Sequence, residues 1–103
     1  MNLESLEKQL DGKLLYDHTM RTLYATDASA YKEMPLAVAI PKTKEDIQKI
    51  IAFARENKSS VIPRAAGTSL AGQVVGNGIV VDISQEFTKI LSVDPVEKSA
   101  WVE

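Results

Sequence analysis

The residues best suited to chemistry lie in one stretch, Pro63-Arg64-Ala65-Ala66-Gly67-Thr68-Ser69-Leu70-Ala71-Gly72-Gln73, directly after the short apolar run Ser60-Val61-Ile62. Small side chains and hydroxyls stand there where a core would place bulk. Ala65, Ala66, Gly67 and Gly72 let main-chain N–H groups approach a ligand closely, and Thr68 and Ser69 add hydroxyl donors, the combination that cradles phosphate oxygens. The implied ligand is an anion. Gly67 and Gly72 have the spacing of a Walker-type loop, but Gln73-Val74 follow where that motif needs Lys and then Ser or Thr. Gly76-Asn77-Gly78 opens like a dinucleotide fingerprint, yet it lacks the third glycine and precedes an apolar strand instead of following one. Neither motif is present.

The remaining composition narrows the chemistry. The 103 residues contain no cysteine, which excludes disulfides, thiolate metal sites and a cysteine nucleophile, and is compatible with a reducing cytoplasm. A net charge of −2 and a pI near 5.4 give no electrostatic footprint for nucleic acid. No apolar run approaches the roughly 18 residues of a membrane span, and the start Met1-Asn2-Leu3-Glu4-Ser5 is unlike a leader peptide, so a soluble, cytoplasmic protein is expected. The single histidine, His18, lies between Asp17 and Thr19 and is read as solvated.

The elements that position the loop follow from periodicity. Asn2 caps a first helix with Leu3, Leu6 and Leu10 on one stripe and Gly12 at its stop, a packing arm over residues 1–23. Lys13 to Thr22 shows no clean period. Pro35 and Pro41 bracket Leu36-Ala37-Val38-Ala39-Ile40, which reads as a buried first strand. Thr43-Lys44-Glu45-Asp46 then starts a helix whose Ile47, Ile50, Ile51 and Ala54 repeat at helical spacing to about Asn57. Strand, helix and a second strand at Val61-Ile62 make a βαβ unit, placing the Pro63 loop at the carboxyl edge of a parallel pair. Ile79-Val80-Val81-Asp82-Ile83 is a further strand, and Ile90–Asp94 with Ala100–Glu103 flank the turn-forming 95–99 stretch as an antiparallel hairpin. The class is α+β. No terminating signal marks Glu103, so the chain is expected to be the leading piece of a longer protein.

Several segments in order carry a resemblance over residues 24–103: Tyr24-Ala25-Thr26-Asp27-Ala28-Ser29, Pro35-Leu36-Ala37-Val38-Ala39-Ile40-Pro41, the loop, and Gly78-Ile79-Val80-Val81-Asp82-Ile83. Together they resemble the FAD-binding domain of the vanillyl-alcohol oxidase and p-cresol methylhydroxylase type. In look they are most similar to FAD-linked D-lactate dehydrogenases and glycolate oxidase flavin subunits. Many members have glycine where this chain has Ala65 and Ala66, and some tether their flavin through a histidine at the position of Thr68. The resemblance implies noncovalent FAD, with its diphosphate on Arg64, Ala65, Ala66, Gly67, Thr68, Ser69, Gly72 and Gln73.

It also implies oxidation of a small 2-hydroxy acid by the full-length protein, with no catalytic side chain in this piece. Two alternatives stand beside it: a flavoenzyme similar to UDP-N-acetylenolpyruvylglucosamine reductase, and a non-enzymatic nucleotide-binding or assembly module. Arg64 is open between a phosphate contact, a pairing with Asp82 and a capping role. Asp27 and Ser29 are assigned to helix capping or loop support, and Trp101 to core or hairpin packing. The strand ending at Glu103 leaves an edge at which copies of the chain can associate.

Overall fold

The computed structural model describes all residues, Met1–Glu103. Its elements run α1 (Leu3–Glu7), β1 (Lys13–Leu15), α2 (His18–Leu23), β2 (Ala37–Ile40), α3 (Lys44–Glu56), β3 (Val61–Arg64), β4 (Ile79–Asp82), β5 (Ile90–Asp94) and β6 (Ser99–Val102). A four-stranded sheet has the order β1-β2-β4-β3, with β1 antiparallel to β2 and the other three strands parallel. Strands β5 and β6 form a separate antiparallel pair. The expected α+β class, parallel sheet and terminal hairpin are all present.

The sheet neighbours depart from the simplest βαβ reading, because β4 inserts between β2 and β3. Burial explains the order. Every residue of β2 and β4 is buried, so these two strands need covering on both faces and take the centre. Strand β3 is only half-buried and contains Pro63, which has no N–H to give a second neighbour, so it takes the edge. The 13–22 region, without a period in sequence, supplies the opposite edge strand β1 and the short helix α2.

Alternation along the strands divides the core. Ala37, Ala39, Ile79 and Val81 meet Ile50 and Ala54 of α3, with Leu6 and Leu14, in one buried cluster. The first segment is therefore woven into this core. Val38 and Val80, also fully buried, point to the other face, where α2 lies against β2. On α3 the predicted stripe is narrower than its sequence suggests: Ile50 is buried, whereas Ile51 is 51% exposed. Truncating Ile50 to alanine should cost about 2–5 kcal/mol, and truncating Ile51 far less. In the hairpin, every residue of both strands is exposed, and Trp101, expected in packing, is 73% exposed.

One buried carboxylate ties the edges together. Thr43 caps α3 by accepting the Asp46 N–H at 3.1 Å. The Asp46 carboxylate reaches back to the Lys42 N–H at 2.9 Å, and also accepts the N–H groups of Asp11 and Gly12, each at 2.9 Å. Gly12 thus docks the start of β1 and does not end α1, which stops at Glu7. Burial opposes ionisation of Asp46, but the amides of Lys42, Asp11, Gly12 and Thr43 outweigh it and hold the acid below its usual range.

A depressed native pKa contributes stability that is complete above the ordinary carboxylate value of about 4 and is lost as pH falls through the native value. Asp46→Asn should lower stability at neutral pH by about 2 kcal/mol and flatten the loss of melting temperature below pH 4. Melting curves of both proteins across that pH window check it. Parallel wild-type and variant curves would remove Asp46 from this role.

Candidate functional site

The loop between β3 and β4 crosses between two adjacent parallel strands without a helix. Its far end is pinned, since the Gly78 carbonyl accepts the Leu36 N–H and the Ile79 N–H donates to Ser60, both at 2.9 Å. Its near end is not. The backbone N–H groups of Ala65, Ala66, Gly67, Thr68, Ser69 and Leu70 donate to no acceptor within the chain. Consecutive amides without partners need water or a ligand, and an anion suits them best. Gly67 and Gly72 have φ of 70° and 74°, the left-handed region that glycine enters without cost.

The predicted site residues separate into two groups. Ser69 and Gln73 act on each other: the Ser69 hydroxyl bonds to Gln73 Oε1 and accepts the N–H groups of Gln73 at 3.2 Å and Ala71 at 3.4 Å. That hydroxyl holds the turn. The Thr68 hydroxyl has no partner within the chain, and Thr68, Ala65 and Ala66 are all exposed residues.

A second segment frames the loop. Residues 24–33 fold back on themselves through a bridge between Thr26 and Lys32 and a Glu33 N–H to Ala25 carbonyl bond of 2.9 Å. From this turn the Ala28 N–H donates to the Gly67 carbonyl at 3.1 Å, and the Tyr31 ring packs against Gly72, where a Cβ would stand 2.8 Å from it. Arg64 Nη1 donates to the carbonyls of Thr26 at 2.8 Å and Tyr24 at 3.4 Å, and its guanidinium lies 5.1 Å from the Tyr24 ring centroid. It makes no ion pair with Asp82. Asp27 supports the same turn, accepting from the Ser29 N–H at 2.7 Å and from the Ser29 hydroxyl. Those bonds hold the Asp27 acid low, against a smaller opposing effect of burial, and the Val74 amide and the Arg64 charge add to them. Tyr24, Thr26, Ala28 and Tyr31 were not singled out from sequence; the signal was the match of Tyr24–Ser29 to the family segment.

Beneath Arg64 lies a buried pair. The Tyr24 hydroxyl donates to Asp82 Oδ2 at 2.6 Å, while Asp82 Oδ1 accepts the Ser84 N–H at 2.8 Å and the Ser84 hydroxyl at 2.6 Å. Burial works against the Asp82 charge, but Ser84 and Tyr24 together keep the acid low. Burial, reinforced by the Asp82 hydrogen bond, pushes the Tyr24 phenol up to about 12.

Residues 35–103 match the family described as FAD binding domain. The chain belongs to that family. A D-2-hydroxyglutarate dehydrogenase of Haemophilus influenzae is 38% identical over 104 residues, which cover 97% of this chain and 10% of the relative. The glycolate oxidase subunit GlcD of Bacillus subtilis is 31% identical over 85 residues, 81% of this chain and 18% of the relative. This FAD-binding domain chain therefore spans about a tenth of the length of the former and under a fifth of the latter. Among solved structures, Physcomitrella patens BBE-like 1 superposes with a TM-score of 0.77 at 19% identity, over 99% of this chain and 23% of its own. Alkyldihydroxyacetonephosphate synthase gives 0.71 at 20% identity, over 84% and 19%. At those identities the likeness is one of fold. No helix of the chain is long and apolar enough to cross a membrane.

The residues present fit FAD at its charged centre through the unpartnered amides of Ala65–Leu70, and the left-handed Gly67 lies against the Arg64 guanidinium where no Cβ has room. Gly67→Ala would bring a methyl group to 2.5 Å from Arg64 Nη2 at a φ alanine resists, and should cost about 1–3 kcal/mol. Chemical denaturation of both proteins measures this, and an unchanged midpoint would show that the loop is not held in this conformation. The raised Tyr24 pKa contributes stability below about pH 10 that is lost as pH rises through 12. Comparing wild type with Tyr24→Phe, ultraviolet titration should assign one phenol ionising near 12 to Tyr24; ionisation near 10 would break the Tyr24–Asp82 pair.

Proposed function

We propose that Ala65, Ala66, Gly67, Thr68 and Ser69, with Gly72 and Gln73, hold the diphosphate of FAD in a flavoprotein that oxidises a small 2-hydroxy acid. The carrying observation is the run of six unpartnered amides, Ala65 to Leu70, at the carboxyl edge of β3 in a chain of the FAD-binding family. Bound flavin supplies the chemistry by accepting a hydride from a substrate C–H bond. The chain's own residues bind and orient. The amides donate to phosphate oxygens, Thr68 adds a free hydroxyl, and Ser69 and Gln73 keep the turn in shape. Each hydrogen bond to a charged oxygen contributes roughly 1.5–3 kcal/mol before the costs of association. The similarity to D-2-hydroxyglutarate dehydrogenases and glycolate oxidase subunits supports the substrate class.

Attachment in this reading is noncovalent. The loop has no histidine, the chain has no cysteine, and Thr68 stands where some relatives of the resemblance carry a tethering histidine. The reading places the protein in the cytoplasm, in keeping with the cysteine-free composition. It treats residues 24–103 as the leading portion of the domain and residues 1–23 as its arm. It also places self-association of the chain at the exposed β5–β6 pair, whose edges are open.

The full-length protein should be yellow as purified, lose its flavin to the filtrate on denaturation, and bleach with D-2-hydroxyglutarate, D-lactate or glycolate under anaerobic conditions. A colourless protein that takes up no FAD would point to a non-enzymatic module. Flavin left on a peptide after denaturation would end the noncovalent reading. The 103-residue chain alone should bind FAD weakly and salt-sensitively, because a diphosphate cradle must offset association costs of roughly 4–15 kcal/mol without burying the flavin ring. Submicromolar affinity by calorimetry would place the ring site within these residues.

A further inference from the structure

Arg64 is a cation at the mouth of the loop, and simple electrostatics would aim it at the diphosphate. Its surroundings argue otherwise. Nη1 is committed to the Thr26 and Tyr24 carbonyls at 2.8 and 3.4 Å, and the guanidinium lies 5.1 Å from the Tyr24 ring centroid. Tyr24 is in turn fixed by its 2.6 Å bond to Asp82, the residue paired with Arg64 in the β3–β4 register. The Arg64 carbonyl accepts the Ile83 N–H at 3.0 Å. The backbone and Nη1 of Arg64 are thus held by one closed circuit running through Tyr24, Asp82 and β4, while Nη2 and Nε donate to no acceptor in the chain. The guanidinium also fills the space beside Gly67, whose missing Cβ would meet it at 2.5 Å.

We infer that Arg64 is a positioning residue for FAD: its guanidinium joins the 24–28 segment to the loop, so that the amides of Ala65–Leu70 and not the arginine charge meet the diphosphate. This rests on the reading of the loop as the diphosphate site. Lysine keeps the charge but not the shape: its ammonium can donate to the Thr26 and Tyr24 carbonyls, but it lacks the broad planar guanidinium whose Nη2 and Nε fill the space beside Gly67. A counter-charge would behave differently, since lysine preserves charge and binding through charge carries a salt dependence that disappears with it.

The test compares full-length wild type, Arg64→Lys and Arg64→Ala by FAD titration of the flavin-free proteins at low and high ionic strength. Hydrogen exchange is followed at the Ala28 amide, which bonds to Gly67, without FAD. Both variants should bind FAD about tenfold or more weakly, with the wild-type dependence on salt. The Ala28 amide should exchange faster in Arg64→Lys than in wild type while the β2–β4 amides keep their protection. Lysine binding FAD as tightly as arginine, a flattened salt dependence in Arg64→Ala, or unchanged Ala28 exchange in Arg64→Lys would each overturn the positioning role. Failure of the wild type to bind FAD would instead overturn the reading of the loop, and the Ala28 exchange would still report on Arg64.

Discussion

Two adjacent parallel strands cannot be joined by a tight turn, and in this chain β3 and β4 are joined without a helix to satisfy the backbone on the way. Everything near the site follows from that constraint. A crossover of irregular chain carries backbone polar groups that must find partners elsewhere. The 24–33 segment supplies some, through Ala28 and the carbonyls that receive Arg64; Ser69 supplies others through its hydroxyl. What remains is the run of unpartnered donors from Ala65 to Leu70, and that remainder is the candidate site.

Three carboxylates show how the fold meets negative charge with backbone and hydroxyl donors. Asp27, Asp46 and Asp82 are all held below the ordinary acid range, each by N–H or hydroxyl donors gathered around it. None is paired with a lysine or arginine across a salt bridge; the chain's single such pair is the exposed Lys8–Glu4 contact on α1. Exposed pairs of that kind contribute little, about 0–1 kcal/mol. These acids instead serve as acceptors that staple segments together: buried Asp46 joins β1 to the start of α3, buried Asp82 joins β4 to Tyr24, and half-buried Asp27 closes the turn that frames the loop. Asp46 and Asp82 are the buried acids of a chain of net charge −2, and their charges are met by N–H and hydroxyl donors within the fold.

Much of this was legible in sequence. The strand at Ala37–Ile40, the capped helix from Lys44, the strand at Ile79–Asp82 and the terminal hairpin were visible because apolar runs, a Thr-capped acidic first turn and a Pro-containing turn are local signals. The β-edge at Lys13–Leu15 was not, since a three-residue strand is too short to show a period and is defined by its partners Val38, Ala39 and Ile40. The insertion of β4 between β2 and β3 was equally hidden. Sheet order depends on comparing the burial of strands far apart in sequence, although Pro63 was a usable hint that β3 is an edge. At the site, the loop was legible from its composition, whereas the frame was not. Tyr24, Thr26 and Ala28 act through main-chain groups or a ring face, and main-chain roles leave almost no mark on residue type.

That asymmetry bears on how the loop would recognise an anion under the proposed reading. An arginine or lysine reaching for phosphate must give up rotamer freedom on binding, of about 1.5–2 kcal/mol for these long side chains, and it brings its charge from a flexible stem. Backbone amides fixed by flanking strands and by a second segment have already lost that freedom when the chain folds. The cost has moved from binding to folding, where the bonds of Arg64, Ala28 and Asp27 offset it. A site built this way needs small residues, so that nothing covers the amides, and it needs a rigid frame, so that the amides do not turn toward each other. Ala65, Ala66 and Gly67 meet the first requirement and the 24–33 turn meets the second.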